Sequence, residues 1–135
     1  MDPFLLPSGR TYQPLPLAAD AAFPARVSLS SAGVSYVMLL YPNIDAAGFA
    51  AAPDIIALDG ARDHLVMRLA LDPPGGDRRT LRIRKVALGQ EIDCGPVFVA
   101  FPGPPIAVGN LQIAKRNLNG TGAHGTRIIG GIAPR

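Results

Sequence analysis

The chain has a single cysteine, Cys94, no tryptophan and only two histidines, His64 and His124. One thiol excludes an intramolecular disulfide, so cysteine usage gives no sign of an oxidising compartment. Cys94 is expected to be a small buried apolar residue. The positions 64, 94 and 124 have none of the close spacings of a metal site, and no cofactor is expected. Long apolar runs are also missing. The longest, YVMLLY from Tyr36 to Tyr41, is strand-sized, against the roughly 20 residues of a membrane span. The opening MDPFLLPSGR starts with an acidic residue and carries prolines at 3 and 7, without the basic and apolar regions of a secretory peptide. The expectation is a soluble protein with no membrane partner, made in a reducing compartment.

Helical periodicity over any long, capped stretch is absent as well, and no repeat recurs at a fixed period. What is present is apolar and turn-rich. Hydrophobic residues make up 48% and charged residues 17% of the 135, too apolar a balance for a disordered chain and long enough for one domain with a real core. With 15 glycines and 14 prolines, short elements joined by turns are expected. The fold class that suits this is all-β, an antiparallel β-sandwich or barrel with an extended N-terminal arm and a Gly-rich C-terminal segment.

Along the chain, residues 1–16 read as that arm, with prolines at 3, 7, 14 and 16 favouring extended backbone. Phe4, Leu5, Leu6 and Tyr12 make it more apolar than a free linker, so it needs a groove on its own domain or on a neighbour. Residues 17–116 read as the β domain. ARVSLS alternates Val27 and Leu29 with polar neighbours, and VSYVMLLY returns after the turn Ser31–Gly33, a hairpin pattern. A single helical turn is expected around Ala46–Ala52, and a tight turn at Asp59-Gly60. DHLVMRLAL puts Leu65, Met67, Leu69 and Leu71 on one face, DPPGGD makes an exposed turn, and RRTLRIRKVAL returns with Leu81 and Ile83 opposite Arg82 and Arg84. Short strand-like pieces follow up to the Gly-rich segment 117–135.

The chemical candidates weaken one by one. NGTGAHGTRIIGG contains G-x-G-x-x-G at Gly120, Gly122 and Gly125, but a dinucleotide turn needs a helix after it and an acid about 20 residues on. Only TRIIGGIAPR follows, and no Lys completes a P-loop. Asn119-Gly120-Thr121 matches a glycosylation pattern without a secretory signal. His64 beside Asp63 and Arg62 has no evident nucleophile, since neighbouring strand residues point to opposite faces. His124 lies among glycines. No catalytic site is expected, and the chain is read as a non-enzyme. Arg78, Arg79, Arg82, Arg84 and Lys85 form a basic strip that phosphates would suit. No aromatic platform interrupts it, so nucleic acid is not the expected partner, and a solvated, charge-protected edge or a site for an acidic protein surface fits better. Residues 1–77 carry four basic and eight acidic side chains, a net of −4, whereas 78–135 carry nine and two, a net of +7. Complementary poles of this kind could meet in neighbouring copies.

The arm MDPFLLPSGRTYQPLPLA, the hairpin LALDPPGGDRRTLRIRK and the tail NLNGTGAHGTRIIGGIAPR together resemble small β-rich virion proteins of tailed bacteriophages, of the tail, baseplate or head accessory type. The resemblance implies a structural subunit in the virion, assembled in the host cytoplasm, with copies of itself and other structural proteins as partners. The expected interface residues are Phe4, Leu5, Leu6, Tyr12, Arg82, Arg84, Lys85, Ile128 and Ile129. The alternative is a β-sandwich binding module for carbohydrate or peptide in a bacterial cytoplasm, and the scarcity of aromatic rings makes carbohydrate the poorer fit.

Overall fold

Alternation along the chain is strict enough to fix two hairpins before any long-range contact is considered. A computed structural model describes residues 3–17, 23–44, 55–58, 64–102, 112–114 and 129–135. Among these residues there is no helix. The strands are β1 Phe4–Leu5, β2 Thr11–Pro14, β3 Ala25–Ser31, β4 Val34–Asn43, β5 Ile55–Ala57, β6 His64–Leu71, β7 Arg79–Lys85, β8 Glu91–Asp93, β9 Val97–Ala100, β10 Gln112–Ala114 and β11 Gly131–Pro134. In β3, Ala25, Val27 and Leu29 are buried while Arg26, Ser28 and Ser30 are exposed. Ala32 and Gly33 both take positive φ, 51° and 80°, the two-residue turn whose twist suits the strands it joins. The second hairpin is β6–β7, with Leu65, Met67 and Leu69 fully buried and the turn residues 73–78 exposed.

Two antiparallel sheets result, neither closed into a barrel. One has the order β3-β4-β6-β7 and the other β1-β2-β11-β9-β8, with β5 and β10 a separate pair. Their apolar faces meet in one core. Val27, Tyr36, Met38, Leu40, Leu65, Met67 and Leu69 come from the first sheet, and Ile92, Val97, Val99 and Ile132 from the second. This is the sandwich of the two expected architectures.

The two chain ends are neighbours in the second sheet. β11 pairs with β2 on one side, Gly131↔Pro14 and Ile132↔Gln13, and with β9 on the other, Gly131↔Ala100 through Pro134↔Val97. Thus Phe4–Leu5 and Thr11–Pro14 of the 1–16 arm, and Gly131–Pro134 of the 117–135 segment, are strands of the same sheet. The physical reason is proximity. An extended apolar segment buries its side chains against the first apolar face in reach, and β11 offers an edge. The helical turn expected around Ala46–Ala52 and the turn at Asp59-Gly60 lie outside the described residues.

On the outer side of this sheet Phe4, Leu6, Tyr12, Phe98, Ala100 and Ala133 form a second small core. Its floor has to be small. A Cβ on Gly131 would lie 2.7 Å from the Gln13 carbonyl oxygen and 2.8 Å from the Phe4 ring, both inside contact distance. Gly131→Ala is therefore expected to destabilise the fold by about 1–3 kcal/mol, the usual cost of overpacking. Chemical denaturation reads this directly, with a shifted midpoint and an unchanged slope.

Candidate docking surface

The N-terminal hairpin is held by one carboxylate. β2, β11, β9 and β8 are successive strands. The Tyr12 ring packs with Ala133 and Ala100 on their outer side, and its hydroxyl donates to Glu91 Oε1 at 2.6 Å. Ser8 Oγ donates to the same oxygen at 2.7 Å, and Arg10 reaches it at 3.4 Å. Phe4 stacks on Tyr12 with centroids 5.3 Å apart and planes 6° from parallel. The Arg10 guanidinium lies 3.7 Å from the Phe98 ring centroid, a cation–π contact. Tyr12's hydroxyl, desolvated and pressed on a carboxylate, holds its proton far above the ordinary tyrosine range. The hydrogen bond from Tyr12, with those of Ser8 and Arg10, holds the Glu91 carboxyl below its usual value.

Phe4, Leu6 and Tyr12 are buried in their own sheet, and only Leu5, 62% exposed, faces outward. Ile129 is half-buried just before β11, and Ile128 lies outside the described residues, as do Gly120, Gly122, Gly125, His124, Arg62 and Asp63. His64 is half-buried at the start of β6, opposite Asn43, and its Nδ1 is enclosed without a hydrogen-bond partner. Cys94 is buried, and that burial pushes its thiol up to about 11, an inert form.

The other sheet carries the free charge. In the five-stranded sheet the acids are matched to cations, Glu91 with Arg10 and Asp93 with Arg135 at 2.6 Å. Among the described residues the four-stranded sheet has the Arg78–Asp72 pair at 2.9 Å, at the tip of its hairpin. Arg26, Arg79, Arg82, Arg84 and Lys85 make no hydrogen bond or ion pair with any carboxylate among the described residues. The alternation expected in β7, with Leu81 and Ile83 opposite Arg82 and Arg84, is broken by a bulge. Register shifts between Leu69 and Ala70, so that Leu69 pairs with Arg82 and Ala70 with Thr80. Leu81 is the extra residue and packs against the core. Arg82 and Arg84 then fall on the core-facing side of an edge strand, beside Leu69 and Met67. Inward-pointing charges there block pairing with another sheet. Ile83 is turned outward and is 54% exposed.

The outer face of the four-stranded sheet has a row of alternating character. Arg26 pairs with Leu39, Leu39 with Arg68, and Arg68 with Ile83. A depression of about 230 Å³ lies over this row, lined by Arg26, Val37, Leu39, Arg68, Ala70 and Arg78. Arg68 donates its Nε to Thr80 Oγ1 at 2.9 Å, which fixes the guanidinium and leaves its terminal amines for a ligand. Val37 and Ala70 form a nearly dry floor, 7% and 6% exposed. Sequence reasoning found the β7 cations but not Arg26 and Arg68. They come from separate hairpins, and only the register through β4 brings them together. The signal available was that each is the charged residue at an outward position of an alternating strand.

Among the described residues no helix is long and apolar enough to cross a membrane. No protein family, curated protein or solved structure matches the chain.

The Tyr12–Glu91 contact makes a pH-dependent prediction. Glu91's folded pKa lies below 4.5, its ordinary value, so its contribution is complete above that pH and disappears as pH falls through the lower folded value. Tyr12→Phe removes a hydrogen bond to a charged group, at a cost of about 1.5–3 kcal/mol near neutral pH. Stability of the variant should also fall less steeply than that of the parent between pH 5 and 3 (about the range that spans the free and lowered carboxyl values). Thermal unfolding followed across that range checks both.

Proposed function

We propose that the chain is a non-enzymatic structural subunit of a multi-protein assembly, joined to copies of itself and to other structural proteins through the basic four-stranded sheet. One observation carries the reading. On the outer face of that sheet Arg26, Arg68 and Lys85 make no ion pair among the described residues, while the opposite sheet pairs its acids internally. A surface of one sign, interrupted by exposed Ile83, is suited to an acidic partner surface that also has apolar patches. The arm supports the subunit from within, because its buried side chains are committed to its own sheet. The narrower reading, a tailed-phage virion component, draws on the resemblance of the arm, hairpin and tail segments. The alternative of a peptide-binding module would use the same face.

Removal of residues 1–16 is a poor test, since it deletes two strands. Charge reversal on the outer face of the basic sheet is a better one. Light scattering of the full chain at low ionic strength is expected to give a multiple of 14.1 kDa. The mass should drop toward the monomer near 1 M salt, where the screening length is about 3 Å, and in the Arg26→Glu/Lys85→Glu variant at low salt. A parent chain that remains monomeric at every concentration and salt would count against self-assembly.

A further inference from the structure

We infer that the depression on the outer face of the four-stranded sheet is a binding site for a carboxylate side chain on an acidic, apolar-interspersed segment of a partner protein. The inference rests on the docking role of that face and adds the chemistry of what docks. Arg26 on β3 and Arg68 on β6 flank Leu39 of β4, two strand spacings or about 9.5 Å apart at the backbone. Their guanidinium groups line one hollow. Arg78 closes the third side with its Nε already bound to Asp72 Oδ1 at 2.9 Å, so it shapes the rim and holds its own counterion. Arg68 is preset by Thr80, and Arg26 has no partner among the described residues. Two arginine side chains lining one depression suit an oxyanion bound by N–H donors.

The floor decides how strong such a contact is. Val37 and Ala70 are buried aliphatic groups, so an anion here would lie against a low-dielectric surface, where its attraction to the guanidinium groups is larger than in water. The volume of about 230 Å³ is below the roughly 300–1,000 Å³ of ordinary small-molecule sites. It fits one side chain with its stem rather than a whole cofactor. Two further features extend the site along the face. Ile83 continues the Arg26–Leu39–Arg68 row as an exposed apolar residue. Lys85 pairs with Val66 in the adjacent row. A partner alternating acidic and apolar residues complements this row, whereas nucleic acid would find no aromatic platform among the lining residues.

The test is a titration of the full chain, by calorimetry or amide chemical shifts, with a short synthetic peptide alternating Glu and Leu. Inorganic phosphate, a single-stranded oligonucleotide and the Gln-for-Glu peptide serve as the other arms. Expected is saturable binding of the Glu peptide, with shifts centred on Val37, Leu39 and Ala70, and no binding of the Gln peptide. Arg26→Gln and Arg68→Gln should each weaken it about tenfold, the loss of one charge-assisted contact, with an unchanged melting temperature showing that the fold is intact. Lys85→Gln removes the same charge from a neighbouring row and should weaken it less than threefold, within the range of an exposed ion pair. Equal effects of all three variants, binding of the Gln peptide, or preferential binding of phosphate or oligonucleotide would each overturn the proposal. A chain that self-assembles yet ignores the peptide loses this inference alone. One that binds the peptide as a monomer keeps it and loses the self-assembly.

Discussion

The pairing of β11 with β2 is the constraint on which the remaining structure depends. The last strand of the chain receives the N-terminal hairpin on one edge and β9 on the other. Without it, Phe4 and Tyr12 have no floor to lie on, and β9 and β8 lose the neighbour that completes their sheet. Small side chains make the pairing possible. Gly131, Ala133 and Ala100 leave room for two stacked aromatic rings, and Tyr12 thereby reaches a carboxylate three strands away. Glu91 gathers a hydroxyl, a second hydroxyl and a guanidinium on one oxygen. Loss of any one donor leaves the others in place, which makes the contact a distributed clamp.

Electrostatics divides the two sheets. On the five-stranded side, Arg10 and Arg135 bracket Phe98 and neutralise Glu91 and Asp93. Its charge is satisfied internally and offers little to a partner. On the outer face of the four-stranded sheet Arg26 and Arg68 stand over the buried Val37 and Ala70, whereas Arg82 and Arg84 fall on its other side. A sandwich of this kind has a self-contained half and an unsatisfied half. The bulged and charge-protected β7 edge works against pairing with a further strand.

Much of this was legible in the sequence, and the rest was hidden for definable reasons. Both long hairpins were readable, because alternation at Val27 and Leu29, and at Leu65, Met67 and Leu69, fixes which face is buried, and Gly33 and the DPPGGD stretch mark their turns. The apolar arm was readable too, including its need for a groove, but not the choice of its own sheet over a neighbour. That choice depends on β11, more than a hundred residues away. The strict alternation of Leu81 to Lys85 suggested a simple two-faced strand. A one-residue bulge, which no local pattern announces, instead placed Arg82 and Arg84 toward the core side and Ile83 toward solvent. Glu91 drew no attention as an isolated acid, because its three donors at 8, 10 and 12 are separated from it by the whole first sheet. Arg26 and Arg68 became one site only through the β3–β4–β6 register.

The central claim is that the N-terminal segment belongs to the chain's own fold, paired through β11. Hydrogen exchange of the dilute, monomeric chain tests this most directly. Amides of Thr11–Gln13 and of Ile132 and Ala133 that point into the sheet should be protected to nearly the same extent as those of β4 and β6, as one cooperative unit. Rapid exchange at those positions in the monomer, with β4 and β6 fully protected, would contradict the account.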